Sequence, residues 1–228
     1  MRALAALAAA AAAAAIPAAG ATTATATREC RGFDVCVPVA GPWVLAPTHA
    51  RVEFQLRCPR RFVVGGLDAQ LSSRAIDLAF LGKLGSPVNP GITTSGAAVF
   101  VGRFLAAAGV ASFRPHIGCI PAAGGGGRVP TALVKTFPPG APAVRRVAQI
   151  GVRAGGTRRL VRGCHRGERL AGSTYAVGFY AAAPPARALA SAVRVARRVR
   201  AGRVWLTVHG GRIRGAGAIV QLDLLCTR

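Results

Sequence analysis

The chain has 228 residues, with 30 Lys+Arg against 7 Asp+Glu, a formal net charge of +23, and 52% hydrophobic but only 6% aromatic residues. That apolar content excludes a disordered polyelectrolyte, since such chains stay unfolded for want of apolar surface to bury. Outside the N-terminus no stretch stays apolar for the ~20 residues of a helical span, which excludes a polytopic helical membrane protein, and the length allows one or two domains.

The first element in chain order is a targeting signal. Met1-Arg2 is a short positive region, residues 3–16 are an Ala-rich apolar run, Pro17 breaks the helix, and Ala19-Gly20-Ala21 is a small-x-small cleavage site. The apolar run is too short to cross ~30 Å of hydrocarbon. A signal peptide is therefore expected over 1–21, cut after Ala21 or, as second choice, after Ala26. Residues 22–42 read as a flexible mature N-terminus holding a small Cys30–Cys36 loop. The expected location is secreted, with cell-wall association, and the mature chain has no expected transmembrane segment.

Strand-like segments dominate the rest of the chain. Val52-Glu53-Phe54-Gln55-Leu56 alternates with period two, as a half-buried strand should. Residues 62–64, 75–81, 97–105, 147–152 and 175–180 are similar, and Gly85-Ser86-Pro87, Asn89-Pro90-Gly91, Pro138-Pro139-Gly140 and Gly210-Gly211 punctuate them. Many short strands between turn signals predict an all-β chain. Residues 122–146, with Gly124-Gly125-Gly126-Gly127 and Pro138-Pro139, read as a Gly/Pro linker between a β unit at 43–121 and a second at 147–228. Residues 186–200 admit two readings. Leu189, Val193 and Ala196 suit one face of a basic amphipathic helix. Val193, Val195 and Val199 also alternate with arginines, and Ala201-Gly202 then leads into Arg203-Val204-Trp205-Leu206, which reads as a hairpin with one Arg-rich face. The hairpin is the favoured of the two.

The six cysteines are Cys30, Cys36, Cys58, Cys119, Cys164 and Cys226. An even count in an oxidising compartment predicts three disulfides. No C-x-x-C pair occurs and the four histidines stand far apart, so neither a metal nor a cofactor is expected. Cys58 to Cys119 is 61 residues and Cys164 to Cys226 is 62; Gly66 and Gly172 each lie eight residues after the opening cysteine. Phe80 and Phe179, then Ser86-Pro87 and Pro184-Pro185, recur in the same order, and each stretch ends in a short alternating strand into its last cysteine. This repeat predicts two tandem disulfide-closed β-sandwich-like units with the pairs Cys58–Cys119, Cys164–Cys226 and Cys30–Cys36. In the chain-entropy account each ~60-residue loop would stabilise its unit by ~4 kcal/mol.

The pattern Cys58-Pro59, Val63-Val64-Gly65-Gly66, Ser86-Pro87 and closing Cys119 resembles a module of secreted actinobacterial proteins of unknown function. Those modules carry a C-P-x-G-x-x-x-x-G-G-G start, an S-x-P turn and a terminal cysteine. The likeness is clearer over 51–119 than over 159–226, where His165 replaces the proline; Arg61 likewise stands where the module has its first glycine. The resemblance implies a β-rich, disulfide-closed unit in the envelope or medium, and implies no activity.

Catalytic sets are scarce. Acid/base work needs paired carboxylates or a carboxylate beside a histidine. Asp68 and Asp77 are the closest carboxylates within one unit, read mainly as a turn cap and a partner of Arg74. His165-Arg166-Gly167-Glu168 adjoins Cys164, which is expected in a disulfide, and Glu168 is expected to pair with Arg166 or Arg169. No G-x-S-x-G elbow occurs. The chain is therefore expected to be non-enzymatic, with no catalytic residue assigned. The remaining signal is the candidate polyanion-binding face Arg194, Arg198, Arg200 and Arg203, with Trp205 nearby, whose expected partners are anionic cell-wall polymer or glycan and, non-specifically, nucleic acid. Two alternatives stand beside it: a glycan-binding or glycan-hydrolysing module using Asp68 and Asp77, and a cationic antimicrobial or inhibitor. Arg outnumbers Lys (only Lys83 and Lys135) in a chain crowded with Ala, Gly and Pro, a skew that a GC-rich genome produces whatever the function.

Overall fold

A computed structural model describes residues 27–81, 96–122, 144–213 and 215–227. The targeting signal, the Ser86-Pro87 turn and most of the expected 122–146 linker lie outside them. The described residues form strands β1 Val37–Ala40, β2 Trp43–Ala46, β3 Val52–Arg57, β4 Phe62–Leu71, β5 Ile76–Leu81, β6 Ala97–Phe104, β7 Ala111–Pro121, β8 Val144–Val152, β9 Thr157–Gly163, β10 Arg169–Tyr180, β11 Val193–Arg200, β12 Arg203–Gly210 and β13 Gly217–Thr227. Beside the strands stand a 3-10 turn at Arg28–Cys30 and a single helical turn, α1 Arg187–Ala190. The fold is all-β, and no helix is long and apolar enough to cross a membrane.

Strands β3, β6 and β5 form one small sheet and β9, β12 and β11 another. Between them lies a seven-stranded sheet. In it β7 is flanked on one edge by β4 and on the other by β1 and β2 in turn, and the sheet continues from β2 through β10 and β13 to β8. Period-two alternation gives this sheet two buried faces. Val44, Phe113, Ile117 and Ala176 join the core beneath β3–β6–β5. Leu45, Val177, Phe179, Val220, Leu222 and Leu224 point the other way, into the core beneath β9–β12–β11. The two small sheets therefore cover opposite faces of one shared sheet.

Strands β3 to β7 and β9 to β13 are laid out alike. In each run the first, fourth and third strands make the small sheet, the second pairs with the fifth, and a preceding strand (β2 or β8) flanks the fifth. The register shifts at a bulge between Val64 and Gly66 in one half and between Leu170 and Gly172 in the other, the same distance after Cys58 and Cys164. Disulfides join Cys30 to Cys36, Cys58 to Cys119 and Cys164 to Cys226, the pairs that the spacing singles out. Three disulfides fit an oxidising, extracellular setting.

Three points depart from the sequence reading. Strands β1, β2 and β9 were not among the expected elements, and β8 begins at Val144 rather than within a unit starting at 147. Residues 27–40, expected as part of a flexible N-terminus, dock on the large sheet. There β1 pairs with β7, and the Glu29 carbonyl lies over Gly66 and Gly118, where an added Cβ would come within 1.9 and 2.1 Å of it. Lastly, the halves are not strung on a linker alone, because β2 and β10 pair at Trp43–Val44 and Phe179–Gly178.

That pairing is short, and side chains reinforce it. β3 is an edge strand, and an open edge leaves backbone groups without partners. The Gln55 N–H donates to Gln221 Oε1 at 2.6 Å, and Gln221 Nε2 donates to the Gln55 carbonyl at 2.9 Å. The buried carboxamide of one half thus stands in for a neighbouring strand of the other. Beside it, Arg145 of β8 donates to Glu53 of β3 and to Asp223 of β13.

Candidate functional site

Residues 186–200 form the α1 turn and then strand β11, whose hairpin with β12 turns at Ala201-Gly202. Both turn residues have positive φ, 47° and 69°, as a primed two-residue turn requires, and this turn matches the twist of the flanking strands. Val204, Leu206 and Val208 of β12 are buried in the second core. Alternation therefore turns Arg203, Trp205, Thr207 and His209 outward.

The register assembles the rest of this outer face. Arg200 lies opposite Arg203, Arg198 opposite Trp205, Ala196 opposite Thr207 and Arg194 opposite His209. On the other side of β12, Trp205 lies opposite Val161 and Thr207 opposite Arg159. The four arginines named from the sequence share one face, and Arg159 joins them from a strand 35 or more residues upstream. All five are exposed, and Trp205 is half-buried in the middle row. Neighbouring same-face side chains sit ~5 Å apart across strands and ~7 Å along them. The result is a cationic platform around one indole.

None of these five arginines forms an ion pair among the described residues. Among the described residues, Glu53 and Asp223 pair with Arg145, Glu168 with Arg146, Asp77 with Arg103, and Glu29 faces His116. Arg200 and Arg203, directly opposed at the hairpin end, repel each other. Guanidinium groups offer planar forks for phosphate, sulfate or carboxylate, and the uncovered part of the half-buried indole offers a face on which a ring can stack.

The acids considered for catalysis are not brought together. Leu67 and Ala69 flank Asp68 and pack on the first core, as Ile76 and Leu78 do around Asp77. Asp68 therefore faces outward from the large sheet and Asp77 outward from the small one, on opposite sides of the first half. Asp77 meets Arg103 at 3.5 Å rather than Arg74. Asp68 is not a turn cap; it stands in mid-strand opposite His116. His116 Nδ1 lies 3.6 Å from Glu29 Oε1, a contact 87 residues apart in sequence that no local motif announces.

Glu168 takes Arg146 as its partner, not Arg166 or Arg169. Arg146 donates through Nε at 2.8 Å and through a second nitrogen at 2.5 Å, and the His165 N–H donates at 3.0 Å. These bonds, Arg146's first, hold the Glu168 carboxyl down at about 2. Asp223 behaves oppositely: burial pushes its carboxyl up, and Arg145 pulls it back only in part. Cys164 and Cys226 lie close to Glu168, but their sulfurs are joined to each other and offer no thiolate to a metal. No family model, curated protein or solved structure matches the chain.

Proposed function

We propose that this chain is an exported, non-enzymatic protein that binds anionic polymer of the cell envelope through the outer face of the β9–β12–β11 sheet. The observation that carries this reading is the convergence of Arg159, Arg194, Arg198, Arg200 and Arg203 around Trp205, without a carboxylate partner among the described residues. Export is supported by the N-terminal sequence and by the three disulfides. The matching strand order and bulge positions of the two halves support their being copies of one disulfide-closed unit. The basic face belongs to the second copy, because strand β5, the counterpart of β11, carries Asp77 and no arginine.

The test is co-sedimentation of mature protein with purified envelope and with duplex DNA over a salt series. Two variants of equal charge are compared, one with Arg194, Arg198, Arg200 and Arg203 changed to Ser, the other with the exposed Arg28, Arg31, Arg60 and Arg74 changed to Ser. Loss of retention in the first variant alone supports the face. Equal loss in both reduces the binding to general polyanion attraction, which salt abolishes, and removes the face from the account.

A further inference from the structure

Where the halves meet, a cleft of about 650 Å³ opens between the first half's β2, its 47–52 and 109–111 segments, and the second half's β10, α1 and β11. That volume lies within the range of small-molecule sites. Its apolar wall includes Leu45, Ala46, Val110 and Val177, and the residues charged at neutral pH that line it are Arg51, Arg187 and Arg197. No carboxylate lines it.

Arg197 is held in place for this role. It belongs to the inward-pointing row of β11, opposite Leu206, yet at the sheet's edge its guanidinium reaches β10, donating through one terminal nitrogen to Ser173 O at 2.5 Å and to Ser173 Oγ at 2.8 Å. Its Nε and its other terminal nitrogen make no hydrogen bond among the described residues. The side chains of Arg51 and Arg187 likewise make no hydrogen bond or ion pair among the described residues. Thr174 and Tyr175 of β10 also line the cleft. An apolar wall beside a few convergent cationic donors is what a molecule with one acidic head and an apolar body requires.

We propose that this cleft binds a small anionic amphiphile, a carboxylate carried on an aliphatic body, with the head between Arg187 and Arg197 and the body along Leu45 and Val177. The site is distinct from the polymer-binding face, and adjacent residues separate the two: Arg197 points into the cleft, while Arg198 points out onto the platform.

The experiment is displacement of the fluorescent probe anilinonaphthalene sulfonate from the full mature chain by decanoate, with acetate and decanol as head-only and tail-only comparators. Decanoate should displace the probe at least about tenfold more effectively than either comparator, since both charge-assisted bonds and apolar burial contribute. Arg187→Ala and Arg197→Met should each weaken decanoate about tenfold while leaving envelope retention unchanged, and Arg198→Ser should do the reverse. Because the Arg187 side chain is exposed and makes no hydrogen bond among the described residues, its variant is informative even if Arg197→Met fails to fold. Decanol matching decanoate, or unchanged decanoate affinity in Arg187→Ala, overturns the proposal. Loss of displacement in Arg198→Ser alone would place the probe on the basic platform and overturn it as well.

Discussion

Gln221→Met tests the joint between the halves. Gln221 is 1% exposed, and its carboxamide makes two hydrogen bonds to the peptide of Gln55, at 2.6 and 2.9 Å. Met nearly preserves the volume and removes both partners. Each lost bond contributes about 0.5–1.5 kcal/mol net, and each peptide group left part-buried without a partner costs about 1–3 kcal/mol instead. Losing the burial of a polar amide offsets some of this, so the expected loss is about 2–4 kcal/mol. For a chain of this size that corresponds to a fall in Tm of roughly 5–15 °C. Urea unfolding followed by tryptophan fluorescence measures it, read from the midpoint at unchanged slope. Gln149→Met is the control, because Gln149 lies opposite Gln221 on β8 but is exposed, and it should stay within about 0.5 kcal/mol. A Gln221→Met loss equally small would show that the carboxamide does not complete the edge of β3.

Two further outcomes rest on the same geometry. The Glu168 carboxyl, held at about 2 by Arg146 and the His165 N–H against an ordinary 4.5, contributes stability that is present above the ordinary value and lost as pH falls toward 2. Glu168→Gln should therefore lower stability at neutral pH and flatten the pH dependence of urea midpoints between about 5 and 2; a variant as steep as the parent refutes the pairing. Gly118→Ala would set a Cβ 2.1 Å from the Glu29 carbonyl oxygen, backbone that moves only if the N-terminal loop lifts. It should cost about 1–3 kcal/mol and speed tryptic cleavage at Arg28 and Arg31, whereas an unchanged digestion rate means the loop is not held there.

What was legible in the sequence was what repeats or alternates locally. Cysteine spacing and the glycines eight residues beyond Cys58 and Cys164 pointed to the disulfide pairs, whereas the bulges beside those glycines show only in the strand register. The alternation of Val193, Val195 and Val199 with arginines foreshadowed strand β11, and Ala201-Gly202 its turn. β9 escaped because Thr157–Gly163 buries only Leu160 among exposed arginines and Val161, so its period does not show. β2 is four residues long and gains its identity from β7 and β10 on either side. The Gln55–Gln221 pair spans 166 residues, and neither glutamine carries a local signal for it. Arg159 entered the platform only through strand register.

A codon-biased genome would bear on how many arginines a chain has, but not on where its few acids lie. Had charge been indifferent to position, the acids would be scattered among the arginines, and surface pairs of that kind contribute little. Instead Glu53, Asp223 and Glu168 sit at the inner ends of ion pairs with Arg145 and Arg146, two adjacent residues of β8, while Glu29 is buried beside His116. Four of the seven acids thus serve contacts between β8, β3 and β13, at the turn before β10, or beneath the N-terminal loop. The outer face of β9–β12–β11 and the cleft beside it receive none. Arg200 and Arg203 are left opposed at a hairpin end, an arrangement that costs stability in the free protein and is relieved when an external anion lies between them. An anion that neutralises the platform should therefore raise the Tm of the parent more than that of the variant lacking Arg194, Arg198, Arg200 and Arg203.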